Sequence, residues 1–273
     1  MENIRSANVA GYFYPADPQK LRTKINNFLE SSKQKNDIEN IFGIVSPHAG
    51  YDYSGETAAY VYNLIKGKNF KRVIIISPSH SEYFPGISVY NGDAYETPLG
   101  LLEVDKEFVN KLIENSKSIF EGLEGHRNEH ALEVQLPFLQ SVLNDFKIVP
   151  IVMGEQSRIY VDELAKRLSE VADAETLIVS SSDMSHFHSK SEADKLDSIV
   201  EKRISSFDFD GLQKDLDDHK TEACGGGPII AMMKAAALKN KHHALVVHRS
   251  DSGDVFGDNK EVVGYLSAVV YGD

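Results

Sequence analysis

Three apolar runs in this chain end in turns that carry a histidine. Residues 41–46 lead into Pro47-His48, residues 72–77 into Pro78-Ser79-His80, and residues 176–180 into Ser181-Ser182-Asp183-Met184-Ser185-His186. Imidazole is the commonest metal ligand among side chains and the group that most readily exchanges a proton near neutral pH. In an open parallel α/β sheet, ligands bind beyond the carboxyl ends of the strands. If the three runs are parallel neighbours, their histidines converge on one edge as metal ligands or acid/base groups. Each histidine alone would as readily be a hydrogen-bonded loop residue. On equivalent strand ends, His48 and His80 read as a ligand pair.

The one cysteine, Cys224, stands in Glu222-Ala223-Cys224-Gly225-Gly226-Gly227-Pro228. It precedes a predicted helix, whose N-terminal N–H groups and dipole would favour a thiolate. A thiolate beside neutral imidazoles suits iron, copper or zinc. A small buried thiol is the commonest alternative. A third reading makes Cys224 a nucleophile, with the glycine N–H groups as an oxyanion hole. The glycine run, costly in conformational entropy, favours a functional reading. Asp183 would orient a ring and His186 would serve as acid/base. His188 is too close to His186 to be separated by spacing, and Asp183 could equally cap its own turn. His130 would line the site and Glu133 would lend a carboxylate to a ligating ring. The phrase His126-Arg127-Asn128-Glu129-His130 reads as readily as a charged surface turn. His248, ending another apolar run, is a further candidate for the same edge.

The elements that must position these groups are legible as alternating runs. Asp17 and Pro18 supply an N-cap and a first helical residue, followed by Leu21, Ile25, Phe28 and Leu29 at helical spacing. Residues 31–40 read as a loop. Buried strands are expected over 41–45, 73–76, 147–153, 177–180 and 244–248, with a last strand over 262–271. Helices are expected over 54–64 (capped by Ser54), 108–116, 129–143, 161–171, 191–207, 212–219 and 228–238. Pro137 should bend or break the third of these. Asn91-Gly92 signals a hairpin between 86–90 and 94–101. This alternation predicts a three-layer α/β/α sandwich around a mostly parallel or mixed sheet. No linker composition interrupts it, so residues 1–273 are expected to form a single domain.

The totals exclude several classes. Over 273 residues the formal net charge is −12, the wrong sign for a nucleic-acid groove or an anionic membrane surface. One cysteine permits no intramolecular disulfide. The start, Met1-Glu2-Asn3-Ile4-Arg5, lacks a signal-peptide pattern, and no apolar run approaches the roughly 20 residues that span a bilayer. A cytoplasmic protein is expected, with no nucleic-acid or membrane partner. Dinucleotide, phosphate-loop, zinc-protease and Gly-x-Ser-x-Gly signatures are all absent from the sequence.

Taken in series, the phrases Ala10-Gly11-Tyr12-Phe13-Tyr14-Pro15, Pro47-His48-Ala49-Gly50-Tyr51-Asp52-Tyr53-Ser54-Gly55, Ser77-Pro78-Ser79-His80, Glu129-His130-Ala131-Leu132-Glu133-Val134-Gln135-Leu136-Pro137-Phe138-Leu139, Ser182-Asp183-Met184-Ser185-His186 and Ala223-Cys224-Gly225 resemble the Memo-like family. That family is similar to the class III extradiol dioxygenases, non-haem Fe(II) enzymes whose metal is held by two histidines and a carboxylate. The resemblance implies His48 and His80 as histidine ligands and Cys224 in the place of the carboxylate. It implies His186 as the acid/base group with Asp183 beside it. A thiolate there is softer and itself oxidisable, which fits iron or copper with a redox role better than ordinary ring cleavage. The alternatives are a metal- or cysteine-dependent hydrolase using the same pocket, and a non-catalytic binding or scaffold protein. The expected partner is a small-molecule substrate or a peptide.

Overall fold

The computed structural model describes residues 3–33 and 38–273. The middle of the expected 31–40 loop therefore lies outside the described residues. In chain order the strands are β1 (Ile4–Arg5), β2 (Ile41–Ser46), β3 (Arg72–Pro78), β4 (Ile87–Tyr90), β5 (Ala94–Thr97), β6 (Gly100–Glu103), β7 (Ile119–Gly122), β8 (Lys147–Met153), β9 (Thr176–Ser181), β10 (His186–His188), β11 (His243–Asp251) and β12 (Val262–Tyr271). The helices are α1 (Pro18–Ser31), α2 (Tyr51–Ile65), α3 (Lys106–Ile113), α4 (Gln135–Val142), α5 (Arg158–Val171), α6 (Lys190–Ser205), α7 (Phe209–Asp217), α8 (Gly226–Leu238) and α9 (Ser252–Phe256).

Continuous apolar strands must be covered on both faces, and they are. Val73, Ile74, Ile75 and Ile76 of β3 are fully buried, as are Leu177, Ile178 and Val179 of β9. Burying a side chain of this kind contributes about 1.5–3 kcal/mol. The main sheet runs β10-β12-β2-β9-β3-β8-β4-β7, with β11 on the outer side of β12. Helices α1, α2 and α4 pack together on one side; α5, α7 and α8 pack on the other. The result is the three-layer α/β sandwich. At its centre β2, β9 and β3 are parallel neighbours, so their carboxyl ends share one edge.

Several expectations are corrected. The Asn91-Gly92 hairpin does not form: β4 pairs with β7 and β8, while β5 pairs with β1 and β6. Neither Asn91 nor Gly92 has positive φ, which a type I′ turn requires. The expected 129–143 helix begins only at Gln135, so Pro137 falls in its first turn, where its missing N–H costs nothing. Ser54 does not cap α2. The helix begins at Tyr51 after Gly50, and Ser54 Oγ donates to the Ala49 carbonyl within it. Residues 244–248 are not a core strand. They lie in β11, a half-buried strand that pairs with β12 alone. The Asp17 cap and Pro18 start of α1 are as read, with Asp17 accepting from the Lys20 N–H.

Candidate metal centre

Each residue of interest sits at a chain reversal on the shared edge. His48 follows β2, His80 follows β3, Asp183 follows β9, and Cys224 precedes α8. Gly225 lets α8 approach that edge. A Cβ there would overlap the Ser181 carbonyl oxygen and the Ser182 side chain. The close approach lets the Cys224 N–H donate to the Asp183 carbonyl and the Asp183 N–H donate to Cys224 Sγ, each at 3.2 Å.

Residues distant in sequence thereby meet. Cys224 Sγ lies 3.2 Å from His48 Nε2. Donor atoms of His48, His80 and Cys224 all fall within 4.8 Å of one another. His130 closes the group, its ring centroid 4.8 Å from that of His80 and 5.5 Å from that of His48.

Hydrogen-bond accounting fixes which ring nitrogens face inward. Ser181 Oγ donates to the Ala131 carbonyl and accepts from Gln135 Nε2. It lies 2.9 Å from His48 Nδ1. With its one proton committed, Ser181 accepts from Nδ1–H and leaves the Nε2 lone pair toward the sulfur. His80 Nδ1 lies 2.9 Å from Glu129 Oε1, an acceptor only, so Nδ1 carries a proton and, in the neutral ring, Nε2 carries the lone pair. Glu129 also accepts from the His80 and Ala131 backbone N–H groups.

The electrostatics follow from burial. His48 is held well below the usual imidazole range, first by desolvation and then by the neighbouring histidines. His130 is lowered chiefly by burial as well. For His80, burial opposes protonation, but the hydrogen bond and charge of Glu129 outweigh it and the net shift is upward. Asp183, buried and accepting from the His48 and Ala49 N–H groups, is pushed up to about 7 by desolvation. The Cys224 thiol is pushed up by burial and by the Asp183 charge.

That last shift runs against the expected helix-stabilised thiolate: in the protein alone, burial favours the protonated thiol. The glycine N–H groups do not form an oxyanion hole either. Gly225 donates to Ser182 Oγ, Gly226 to the Ala223 carbonyl, and Gly227 to Gln156 Oε1.

Other residues take different places from those expected. Asp183 supports His48 and the Cys224 loop, its Oδ2 lying 4.0 Å from His48 Nε2. The His186 ring is instead bonded to the Met184 carbonyl, and it sits on the wall of a cavity that reaches Cys224. His188 pairs with Glu222 at 3.0 Å. Glu133 holds no ligating ring. It pairs with Arg5 at 2.7 Å and accepts from Tyr14 Oη and the Asn8 and Val9 N–H groups. The carboxylate that does meet a ring is Glu129, which sequence reasoning passed over because its phrase looked like a charged surface turn. Gln135 and Ser181 were missed too, since neither residue type announces a role in fixing a tautomer. His248 stacks on Tyr60 with centroids 4.0 Å apart and meets Thr57, away from this cluster.

Comparison with known proteins gives a consistent result. The family model described as Memo-like protein matches residues 5–269. MEMO1 family protein TV1383 of Thermoplasma volcanium is 36% identical over 268 residues, covering 97% of this chain and 98% of its own. A MEMO1 family protein of Archaeoglobus fulgidus is 38% identical over 273 residues, covering 97% and 99%. One of Methanobrevibacter smithii is 37% identical over 279 residues, covering 97% and 99%. A solved structure, that of the uncharacterized protein JW3007 from Escherichia coli K12, aligns with a TM-score of 0.47 at 11% identity over 74% of this chain and 86% of that one. That likeness is too loose to carry weight.

Proposed function

The chain belongs to the Memo-like protein family, and on that footing we propose that it binds a redox-active metal through His48, His80 and Cys224. Fe(II) is the preferred ion, with copper as the redox-active alternate; the same donors would also suit zinc, which has no redox chemistry. The single observation that carries the reading is the donor set: two imidazoles whose Nδ1–H groups are held by Ser181 and Glu129, and a thiol, with donor atoms within 4.8 Å of one another. Two imidazoles and a thiolate suit these ions and not hard cations such as Mg or Ca.

When bound, iron or copper supplies Lewis acidity and one-electron chemistry. The chain's own contributions are orientation and proton handling. Ser181 and Glu129 hold the two ring tautomers. In this reading His186, on the cavity wall, exchanges a proton with a bound small molecule. Asp183 serves as a positioning residue through its bond to the His48 N–H, and its charge acts on the sulfur. The cysteine-hydrolase alternative loses support, because burial disfavours the thiolate and the glycine donors are already used.

Anaerobic purification with metal analysis tests the assignment. Stoichiometric iron or copper is expected in the wild type and little in a His48→Ala/Cys224→Ser double variant. Full occupancy in the double variant would overturn it. Oxygen uptake with catechols and small phenols tests the catalytic half.

A further inference from the structure

The main sheet ends in β7 on one side and in β11 on the other. Open edges invite pairing with another chain, and proteins usually blunt them by keeping them short or by placing lysine or proline there. β7 has four residues. β11 has nine, with neither lysine nor proline, and none of its residues is buried.

The phase of the ladder shows which backbone groups of β11 are unused. Gly264 of β12 donates to the Ser185 carbonyl and accepts from the Met184 N–H, so it turns its polar groups away from β11. These groups alternate sides along a strand, so Leu266, Ala268 and Val270 do the same. Their neighbours on β11 are Asp251, Arg249, Val246 and Ala244, whose N–H and C=O groups therefore point out of the sheet. The outward Asp251 N–H is taken by Asp254 Oδ2. Among the described residues, no hydrogen bond from any element but β12 reaches the backbone of Ala244, Val246 or Arg249.

Two features make this edge complementary to itself. The bulge between Val246 and His248 adds one residue, so the outward positions 244, 246, 249 and 251 read the same from either end. A two-fold axis between residues 247 and 248 then sets Val246 of each copy against Arg249 of the other, and these two pairs exchange four backbone hydrogen bonds. The charges are polarised along the same line. Residues 239–250 carry Lys239, Lys241 and Arg249 and no acid, whereas residues 251–261 carry Asp251, Asp254, Asp258 and Glu261 against Lys260. Antiparallel pairing lays the basic start of one strand along the acidic end of the other. It also brings the exposed Leu238 end of one copy toward exposed Val255 and Phe256 of the other.

We propose that β11 pairs antiparallel with β11 of a second copy of this chain, joining two main sheets into one. The contact is isologous and closes at the dimer. It stands apart from the proposed metal centre and needs no metal.

Sedimentation equilibrium of the full chain tests it. A monomer–dimer equilibrium with a dissociation constant of about 1–100 µM is expected, weakened about three-fold or more between roughly 50 and 500 mM salt. Val246→Pro removes an outward N–H that β12 does not use and should weaken association about ten-fold or more. Val246→Lys sets a like charge against Arg249 of the other copy and should weaken it similarly. Val246→Glu, at the same place with the opposite charge, should stay within about three-fold of wild type. The Lys and Glu variants keep every backbone donor, so their difference reads the pairing itself. A chain that stays monomeric to about 1 mM, association unchanged by both Val246→Pro and Val246→Lys, or equal losses in the Lys and Glu variants would overturn the inference. So would a monomer that takes an extended peptide onto β11 in place of a second copy.

Discussion

Two buried polar clusters lie a few residues apart, and they solve the problem of buried charge in opposite ways. In the first, Arg5 meets Glu133 at 2.7 Å and donates to the His126 and Glu129 carbonyls, while Tyr14 and two backbone N–H groups complete Glu133. One cation faces one anion, and the remaining polar contacts are closed. In the second, His48, His80, His130, Asp183 and Cys224 gather without a lysine or arginine among them. Burial pushes the histidines His48 and His130 down and the acids Asp183 and Cys224 up, toward their neutral forms, while the His80–Glu129 pair shifts toward its charged forms. The first cluster is complete as protein alone. The second is a set of lone pairs and displaceable protons, and a metal cation is what would complete it.

The largest effect should come from breaking the closed cluster. Arg5→Ala leaves the Glu133 charge buried and unpaired, and unfolding by denaturant should show a loss of about 3–5 kcal/mol regardless of metal. A loss below about 1 kcal/mol would mean that Arg5 and Glu133 are not the closed pair described here. In the open cluster, Glu129→Gln removes the carboxylate that fixes His80. Metal affinity should fall about 10- to 100-fold, as is usual when such a support is lost. An unchanged affinity would separate Glu129 from the centre.

A smaller effect concerns pH. His126, beside the closed cluster, accepts from Tyr95 Oη and donates to the Ser88 carbonyl. Burial first of all pushes it down to about 3. The unfolded chain takes up this proton near pH 6.5 and the folded chain does not. The stability contribution of neutral His126 is therefore fully present above about pH 6.5 and is lost as pH falls from there toward 3. Between pH 7.5 and 5 the loss should be about 2 kcal/mol, and His126→Asn should flatten that part of the stability profile by a similar amount. Equal slopes in wild type and variant would contradict it.

Much of the layered fold was legible because β2, β3, β8 and β9 are short continuous apolar runs between turn residues. That pattern marks strands covered on both faces. The convergence of His48, His80 and Cys224 was readable from strand ends and from the resemblance to the Memo-like family. What was not legible depends on long-range pairing. Arg5 claims Glu133 from 128 residues away, which no local pattern announces, and so Glu133 was assigned to the wrong partner. Glu129 lies only a few residues from it, but its bond to His80 depends on how the turn before α4 crosses the end of β3. Asp183 was read with its sequence neighbour His186, whereas the parallel pairing of β2 and β9 sets it against His48. The Asn91-Gly92 signal failed because the strands on either side find partners in different sheets.

The account depends most on the sulfur of Cys224 being a metal ligand alongside the two imidazoles. X-ray absorption on the anaerobically iron-loaded wild type, compared with Cys224→Ser, tests this directly. A sulfur ligand together with nitrogen ligands is expected in the wild type, and the sulfur signal should vanish in the variant. Iron bound with only nitrogen and oxygen neighbours, or a spectrum unchanged by the substitution, would contradict it.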